Sequence, residues 1–263
     1  MLSQDLFDSS GRCLANLTNE PAYKKSRKYF YIDEKTINEI DDIKIYNNLK
    51  KYFKEKILIS LEDFKLKIKS LKSEIIKKNE LKNIEKGIGI PFITPIINNH
   101  TDIGDDIDEI LVPALEKSYK DQFPNYEFVN HCKESLKNNL SVSKDIRYDK
   151  ILSKIKNENV VGILYFSLNE FSFPAAEEIV KKLPENFNLT GPYELFSAII
   201  GFPNLLLRNE KYPPLIWLSS VRDKQNPMIG YHIEPYGYNL TFNRRPHLDH
   251  VAEYWWHSIA LTD

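Results

Sequence analysis

The sequence predicts an α+β fold, with a mostly helical N-terminal half and a mixed β-sheet with packed helices in the C-terminal half. Between about residues 36 and 86, apolar residues recur every three or four positions, as on one face of a helix. After residue 157 the pattern changes to a continuous apolar run and then to alternation with a period of two, which is typical of strands. We therefore divide the chain into a helical region, 1–157, and an α/β region, 158–263. No flexible linker separates them, so one continuous domain is also consistent with the sequence.

The helical region contains a short heptad seam. Its apolar residues are spaced four, three, four, three and four positions apart: Ile57, Leu61, Phe64, Ile68, Leu71 and Ile75. Because the seam covers fewer than three heptads, we expect helices that pack inside the fold and no extended coiled coil.

The same region carries a surplus of lysine. Residues 44–86 contain thirteen lysines and six acids. Nucleic acid is not the expected partner, because the stretch has no arginine and few aromatic residues for stacking. A solvated helix face is the simpler interpretation.

The middle of the chain predicts a buried connector followed by helices. Residues 87–97 hold two glycines and two prolines but remain apolar, so they indicate a connector buried in the core. We expect a helix over 103–122, interrupted at Pro113, then helices over 126–137 and 144–156. Cys132 falls on the apolar side of the first of these and is predicted to be a buried, structural cysteine.

The α/β region predicts strands joined by helices and ends in a hairpin and a helix. Strands are expected at 160–166 and 215–221, with helices at 174–183 and 192–200 between them. Alternation in 228–233 and 236–242 predicts a β-hairpin that turns at Glu234 and Pro235. Pro246 then favours the start of a helix over 247–261.

Composition limits the classes of protein. The formal net charge is −1 and there are two cysteines, which argues against a nucleic-acid binder as a whole and against a disulfide framework. No window reaches 18 apolar residues and the first residues lack a signal-peptide pattern. We therefore predict a soluble, cytoplasmic protein with no membrane partner.

The leading functional hypothesis is a binding or regulatory protein for an anionic ligand, which could carry phosphate. Arg244 and Arg245 precede the predicted C-terminal helix, where two cations oppose the helix dipole unless an anion compensates them. Guanidinium groups and free amides at a helix start both favour phosphate or carboxylate. The predicted ligand-binding residues are Arg244, Arg245 and His247. Ion pairing of the arginines with acids such as Glu234 or Asp249 is the alternative.

The second hypothesis, from a different class, is a metal-dependent enzyme with a divalent metal. His232 and Glu234 share one face of the predicted hairpin, and His247 and His250 follow within the next sixteen residues, with Glu253 or His257 nearby. Two or three imidazoles and a carboxylate are the donor set of many iron and zinc sites. The competing interpretation places these residues on solvent-exposed faces of the hairpin and the helix.

The third hypothesis is a protein-interaction module of the immunity or inhibitor type, in which the partner is a protein. It rests on the density of aromatic residues near the C-terminus, which are Tyr231, Tyr236, Tyr238, Trp255 and Trp256. Such residues are enriched at interfaces, although they are equally common in cores.

Overall fold

The computed structural model describes residues 5–27, 29–143 and 147–263. Helices occupy Glu34–Ile37 (α1), Asp42–Phe53 (α2), Leu61–Ile76 (α3), Ile103–Asp106 (α4), Val112–Gln122 (α5), Asp149–Lys154 (α6), Phe173–Val180 (α7) and Pro192–Gly201 (α8). Strands occupy Gly89–Ile93 (β1), Phe128–Asn130 (β2), Leu140–Val142 (β3), Val161–Asn169 (β4), Phe187–Leu189 (β5), Leu215–Trp217 (β6), Val221–Asp223 (β7), Gly230–Tyr236 (β8), Asn239–Arg245 (β9) and Trp255–Thr262 (β10). The predicted α+β class is confirmed.

One mixed sheet organises the fold. Its strand order is β1-β4-β10-β6-β8-β9-β2, and β5 also pairs with β10. Neighbours are antiparallel except for β10 with β6 and β2 with β9, which are parallel. A small second sheet joins β3 to β7. Strands β1 and β2 come from the helical half of the chain, so both halves contribute to the same sheet.

The predicted C-terminal helix is wrong, because the stretch begins as a loop and from Trp255 onward forms strand β10, in the interior of the sheet. The stretch was misassigned because apolar residues at positions 248, 251, 252, 255 and 259 fit a helical period by chance. A central strand is buried on both faces and therefore shows no polar alternation. Seven of the eight β10 residues are buried, and β10 separates β4 from β6, so those two strands are not neighbours.

The predicted hairpin is confirmed, with its turn placed three residues later. Tyr236 pairs with Asn239 across a two-residue loop, and Glu234 and Pro235 lie within β8. The loop contains Gly237 at φ 64°, the left-handed conformation that such tight turns require. This register sets which hairpin side chains share a face.

Two hydrophobic clusters hold the layers together. Helices α2, α3, α5 and α8 pack around the large cluster, and α8 is buried along its whole length. A smaller cluster is built from Phe173, Leu215, Trp217, Leu248 and Trp255. At β6 and β10 the two clusters lie on opposite faces of the sheet, because Ile216 and Trp256 belong to the large one and their strand neighbours to the small one.

The middle of the chain follows the prediction in part. The connector 87–97 is buried as expected and supplies β1. A π-helical turn, Ile107–Leu111, precedes Pro113 and joins α4 to α5, which accommodates the missing proline amide without ending the helix. The helix predicted over 126–137 is wrong, since strand β2 and a loop occupy it. Of the helix predicted over 144–156, α6 is present, and residues 144–146 lie outside the described part.

None of the helices in the described ranges combines the length and the apolar character needed to cross a bilayer.

Candidate anion-binding cleft

The two adjacent arginines of β9 lie on opposite faces of the hairpin, because successive side chains of a strand alternate. Arg244 pairs across the hairpin with Tyr231, and Arg245 pairs with Gly230. The Arg245 guanidinium lies 3.3 Å from Glu234 Oε2 and donates a hydrogen bond to the Tyr254 hydroxyl at 2.7 Å. Arg245 is therefore neutralised inside the protein, and the two guanidinium groups do not form one clamp.

Arg244 lies at a cleft of about 330 Å³ between the hairpin and the loop that follows β2. The side chain is exposed, and within the described chain it makes no ion pair with a carboxylate. Lys133 and His131 are further potentially cationic residues of the cleft wall, and the acids of the wall are Asp223 and Glu134.

The Asp223 carboxylate is already occupied. Its Oδ1 accepts hydrogen bonds from the backbone N–H groups of Gln225 at 3.0 Å and Asn226 at 2.9 Å. Its Oδ2 accepts the Tyr231 hydroxyl at 3.0 Å. Burial first, and then Asp223, raise the pKa of Tyr231, so this phenol stays protonated as a donor. The Tyr231 hydrogen is thereby committed to Asp223, so Arg244 and Lys133 are the cationic donors that the cleft offers to a ligand.

Cys132 borders the cleft but is not a reactive thiol. Burial raises its pKa to about 11, and the opposing effect of Arg244 is smaller. The thiolate is the nucleophilic form of cysteine, so a protonated thiol here supports the structural role expected from the sequence.

His232 is buried beside Glu234. Its Nε2 atom lies 3.4 Å from Glu234 Oε1 without hydrogen-bond geometry, and neither ring nitrogen has a hydrogen-bond partner in the described structure. The ring packs edge-on against Trp217 at 5.0 Å. Burial lowers the pKa of His232, an effect that Glu234 only partly offsets. Burial acts to raise the pKa of Glu234, but His232 and Arg245 hold it below its usual range.

His247 and His250 lie in the exposed loop between β9 and β10, with their rings 5.4 Å apart. No helix starts at Pro246, so the free helix amides expected there do not exist. His250 Nδ1 lies 3.1 Å from Asp249, and Glu253 pairs with Arg27.

The structure brings the proposed metal ligands together only as pairs. His232 is next to Glu234, and His247 is next to His250. Across residues 5–27, 29–143 and 147–263, no three His, Cys, Asp or Glu side chains converge as a metal site requires.

His257, which was placed near that site, is buried in β10. Its Nε2–H donates to the Phe171 carbonyl at 3.0 Å, so Nδ1 accepts the Ser219 hydroxyl at 2.9 Å. Burial, reinforced by Arg222, lowers the pKa of His257 to about 3. The imidazole is therefore a neutral structural bridge between three segments of chain.

A buried carboxylate network was not predicted from the sequence. The Asp106 Oδ2 atom lies 2.5 Å from His100 Nδ1 and accepts the Tyr193 hydroxyl at 2.6 Å. The sequence predicted no site at Asp106 or His100. Only the fold brings Tyr193, from α8, to this pair.

Comparison with protein-family models, curated proteins and solved structures found no match to this chain.

Proposed function

We propose that the protein is a binding or regulatory protein that takes a small anionic ligand in the cleft at Arg244. One observation carries the proposal, namely that Arg244 is an exposed guanidinium at the edge of a concave site and has no carboxylate partner in the described chain. Guanidinium groups bind carboxylate and phosphate through paired hydrogen bonds. The cytoplasm remains the predicted location.

The cleft suits a small ligand in both size and chemistry. Its volume of about 330 Å³ lies at the lower end of ligand pockets, which span roughly 300–1,000 Å³. Lys133 adds a flexible positive charge to the guanidinium of Arg244, while the Tyr231 hydroxyl is bound to Asp223 and shapes the wall. In this proposal Arg244 contacts the ligand. Arg245 supports the hairpin through Glu234 and Tyr254, and His247 lies in the loop that follows.

A ligand screen with Arg244→Glu tests the proposal. The screen uses inorganic phosphate, nucleotides and di- and tricarboxylates, followed by calorimetry on every hit. We expect Arg244→Glu to weaken binding by at least tenfold, the equivalent of about 1.4 kcal/mol. The matched control is Lys120→Glu, the same kind of charge change at an exposed lysine of α5. Equal affinity in the two variants, or no hit with the wild type, would overturn the proposal.

A protein-interaction module is the second candidate, and one specific surface favours it. A row of tyrosine rings around one arginine is built from three separate parts of the chain. Tyr126 stacks on Tyr238 at 5.2 Å, and the Arg208 guanidinium lies 3.7 Å from the Tyr212 ring and 5.7 Å from the Tyr238 ring. Tyr212 and Tyr238 are exposed, as is Tyr236 on the same hairpin, whereas Tyr231, Trp255 and Trp256 are buried.

Rigid tyrosines and arginine are the residues that dominate protein interfaces. Quantitative capture from lysate with wild type, Arg208→Glu, Tyr238→Ser and the Lys120→Glu control tests this candidate. We expect proteins that the wild type and the control retain but both row variants lose. If no captured protein shows that pattern, the row is not an interface.

The metal-dependent enzyme finds no comparable support. His232 is enclosed and has a lowered pKa, and His247 and His250 form a separate exposed pair. We therefore place it third.

A further inference from the structure

Helix α3 presents a surface that neither candidate function uses. Its inner face is buried in the core through the heptad residues Phe64, Ile68, Leu71 and Ile75. The helix therefore cannot rotate or turn over, and its outer face is fixed toward solvent.

Two large aliphatic side chains lie on that outer face. Leu66 is 64% exposed and Ile76 is 72% exposed. Together with Lys69 and Ser73 they occupy positions i, i+3, i+7 and i+10, which form one strip along a helix. A lone exposed leucine is ordinary, but two exposed aliphatic side chains aligned on one helix face, with Lys69 between them, indicate a contact surface.

Lysines flank the strip on both sides. Lys65 and Lys72 lie along one side and Lys77 along the other, at 100° per residue. Within the described structure, Lys65, Lys69, Lys72 and Lys77 take part in no ion pair, while Lys67 is bound by Asp263. The acids of this face are Glu62, in the first helical turn, and Glu74, which lies beside Lys77. The four residues of the strip and the lysines that flank it thus form one cationic surface with two exposed aliphatic side chains. We call it the α3 strip.

The residue types discriminate among possible partners. Protein interfaces are depleted in lysine and enriched in aromatic residues and arginine, and single-stranded nucleic acid needs aromatic stacking platforms. The α3 strip has neither arginine nor an aromatic ring. Flexible lysines that attract an anionic surface, with short aliphatic side chains to enter it, match an acidic lipid headgroup layer.

We propose that the α3 strip docks the protein peripherally on an anionic lipid bilayer. Charge complementarity carries the proposal, since each lysine near such a surface contributes about 1 kcal/mol. Docking of this kind needs no membrane-spanning segment. It departs from the expectation of no membrane partner, which was based on spans and signal peptides.

Cosedimentation with vesicles tests the proposal on the full chain. The vesicles consist of phosphatidylcholine alone or of phosphatidylcholine with phosphatidylserine. We expect binding only to the second kind, weakened by added salt. Lys69→Gln with Lys72→Gln should lower the partition coefficient about 30-fold, the factor for about 2 kcal/mol, and Leu66→Ser with Ile76→Ser should lower it as well.

The matched control is Lys117→Gln with Lys120→Gln, two exposed lysines of helix α5, which should bind like the wild type. Circular dichroism checks that all variants are folded. Absence of binding to acidic vesicles, equal binding to neutral vesicles, or equal loss in the control variant overturns the proposal. So does tighter, lysine-dependent binding to an oligo-dT strand, which would make nucleic acid the partner. None of these outcomes depends on the Arg244 cleft.

Discussion

The Tyr148 hydroxyl donates a 2.7 Å hydrogen bond to Glu194 Oε2 in the interior of the protein. Asn188 Nδ2 donates to the other carboxylate oxygen at 2.8 Å, and the Gly191 amide donates to Oε2 at 3.3 Å. Glu194 thus caps the N-terminus of helix α8 and links this helix to β5 and to the start of α6. Burial raises its pKa from 4.5 to about 7, even though these donors favour the charged form.

This carboxyl makes stability depend on pH. Because its pKa is higher in the folded than in the unfolded chain, the folded state binds more protons between pH 4.5 and about 7. Its contribution is complete below pH 4.5 and is lost as the pH rises through 7. At about 1.4 kcal/mol per pKa unit the loss is about 3 kcal/mol. We expect the stability of the wild type relative to Glu194→Gln to fall by that amount across the window, measured by urea unfolding. A difference that does not change with pH contradicts this account.

His257 has the opposite dependence. Its pKa is about 3 when folded and 6.5 when unfolded, so the unfolded chain binds the extra proton between these values. Its contribution is present above pH 6.5 and is lost as the pH falls toward 3, by about 5 kcal/mol. His257→Gln, whose amide nitrogen can still donate to Phe171, should be less stable at pH 7 but should lose less stability on acidification. Urea unfolding over the same pH range measures both the stability at pH 7 and its loss on acidification. An equally steep loss of stability with falling pH in the wild type and the variant would contradict this account.

His232 and His257 form a matched pair for substitution by phenylalanine. His257→Phe removes two hydrogen bonds and leaves the Phe171 carbonyl and the Ser219 hydroxyl without their His257 partner, which we expect to cost about 2–4 kcal/mol. His232→Phe removes two nitrogens that have no hydrogen-bond partner in the described structure, so its free energy of unfolding should change by less than about 1 kcal/mol. Chemical unfolding at pH 7 compares the two variants. A loss in His232→Phe as large as that in His257→Phe would contradict this account.

Gly104, in helix α4, packs directly against the loop that forms one wall of the Arg244 cleft. A Cβ atom at this position would lie 1.9 Å from the Leu136 carbonyl oxygen, in the loop that walls the Arg244 cleft. In an ordinary helix Gly→Ala stabilises by about 1 kcal/mol, but here the loop must move and the overpacking should cost about 1–3 kcal/mol. We expect Gly104→Ala to lower the melting temperature and weaken any ligand bound at Arg244. Gly237→Ala, with open space around its Cβ, separates strain at a positive φ from a steric clash.

The sequence predicted the elements that have one buried face. Helix α3 and the β8–β9 hairpin each show a clear period, because one face of each meets the core and the other meets water. The period fails where both faces are buried. Strand β10 illustrates this, since its apolar residues do not alternate and the stretch was assigned to a helix. Helix α8, buried along its whole length, was predicted correctly only because length and boundary signals identified it.

The candidate site was predictable only as a neighbourhood. Arg244 was singled out, but its role was attached to a helix that does not form, and the strand geometry separates it from Arg245. The cleft itself depends on the loop after β2, which approaches β9 through a parallel pairing across more than one hundred residues. Such long-range contacts leave no local trace in a sequence, and neither do the meetings of His100 with Tyr193 or of Tyr148 with Glu194.

The position of β10 constrains the order in which the protein can form. Strand β10 lies in the interior of the sheet and follows all the other described strands in sequence, and it joins β4 and β5 to β6. While a ribosome synthesises the chain, the β1–β4 pair and the β6–β8–β9 unit emerge before β10, and their apolar edge strands are unpaired. Such edges are prone to pair with other chains. The complete sheet therefore cannot form until β10 has emerged from the ribosome, and the edges that β10 covers stay unpaired until then.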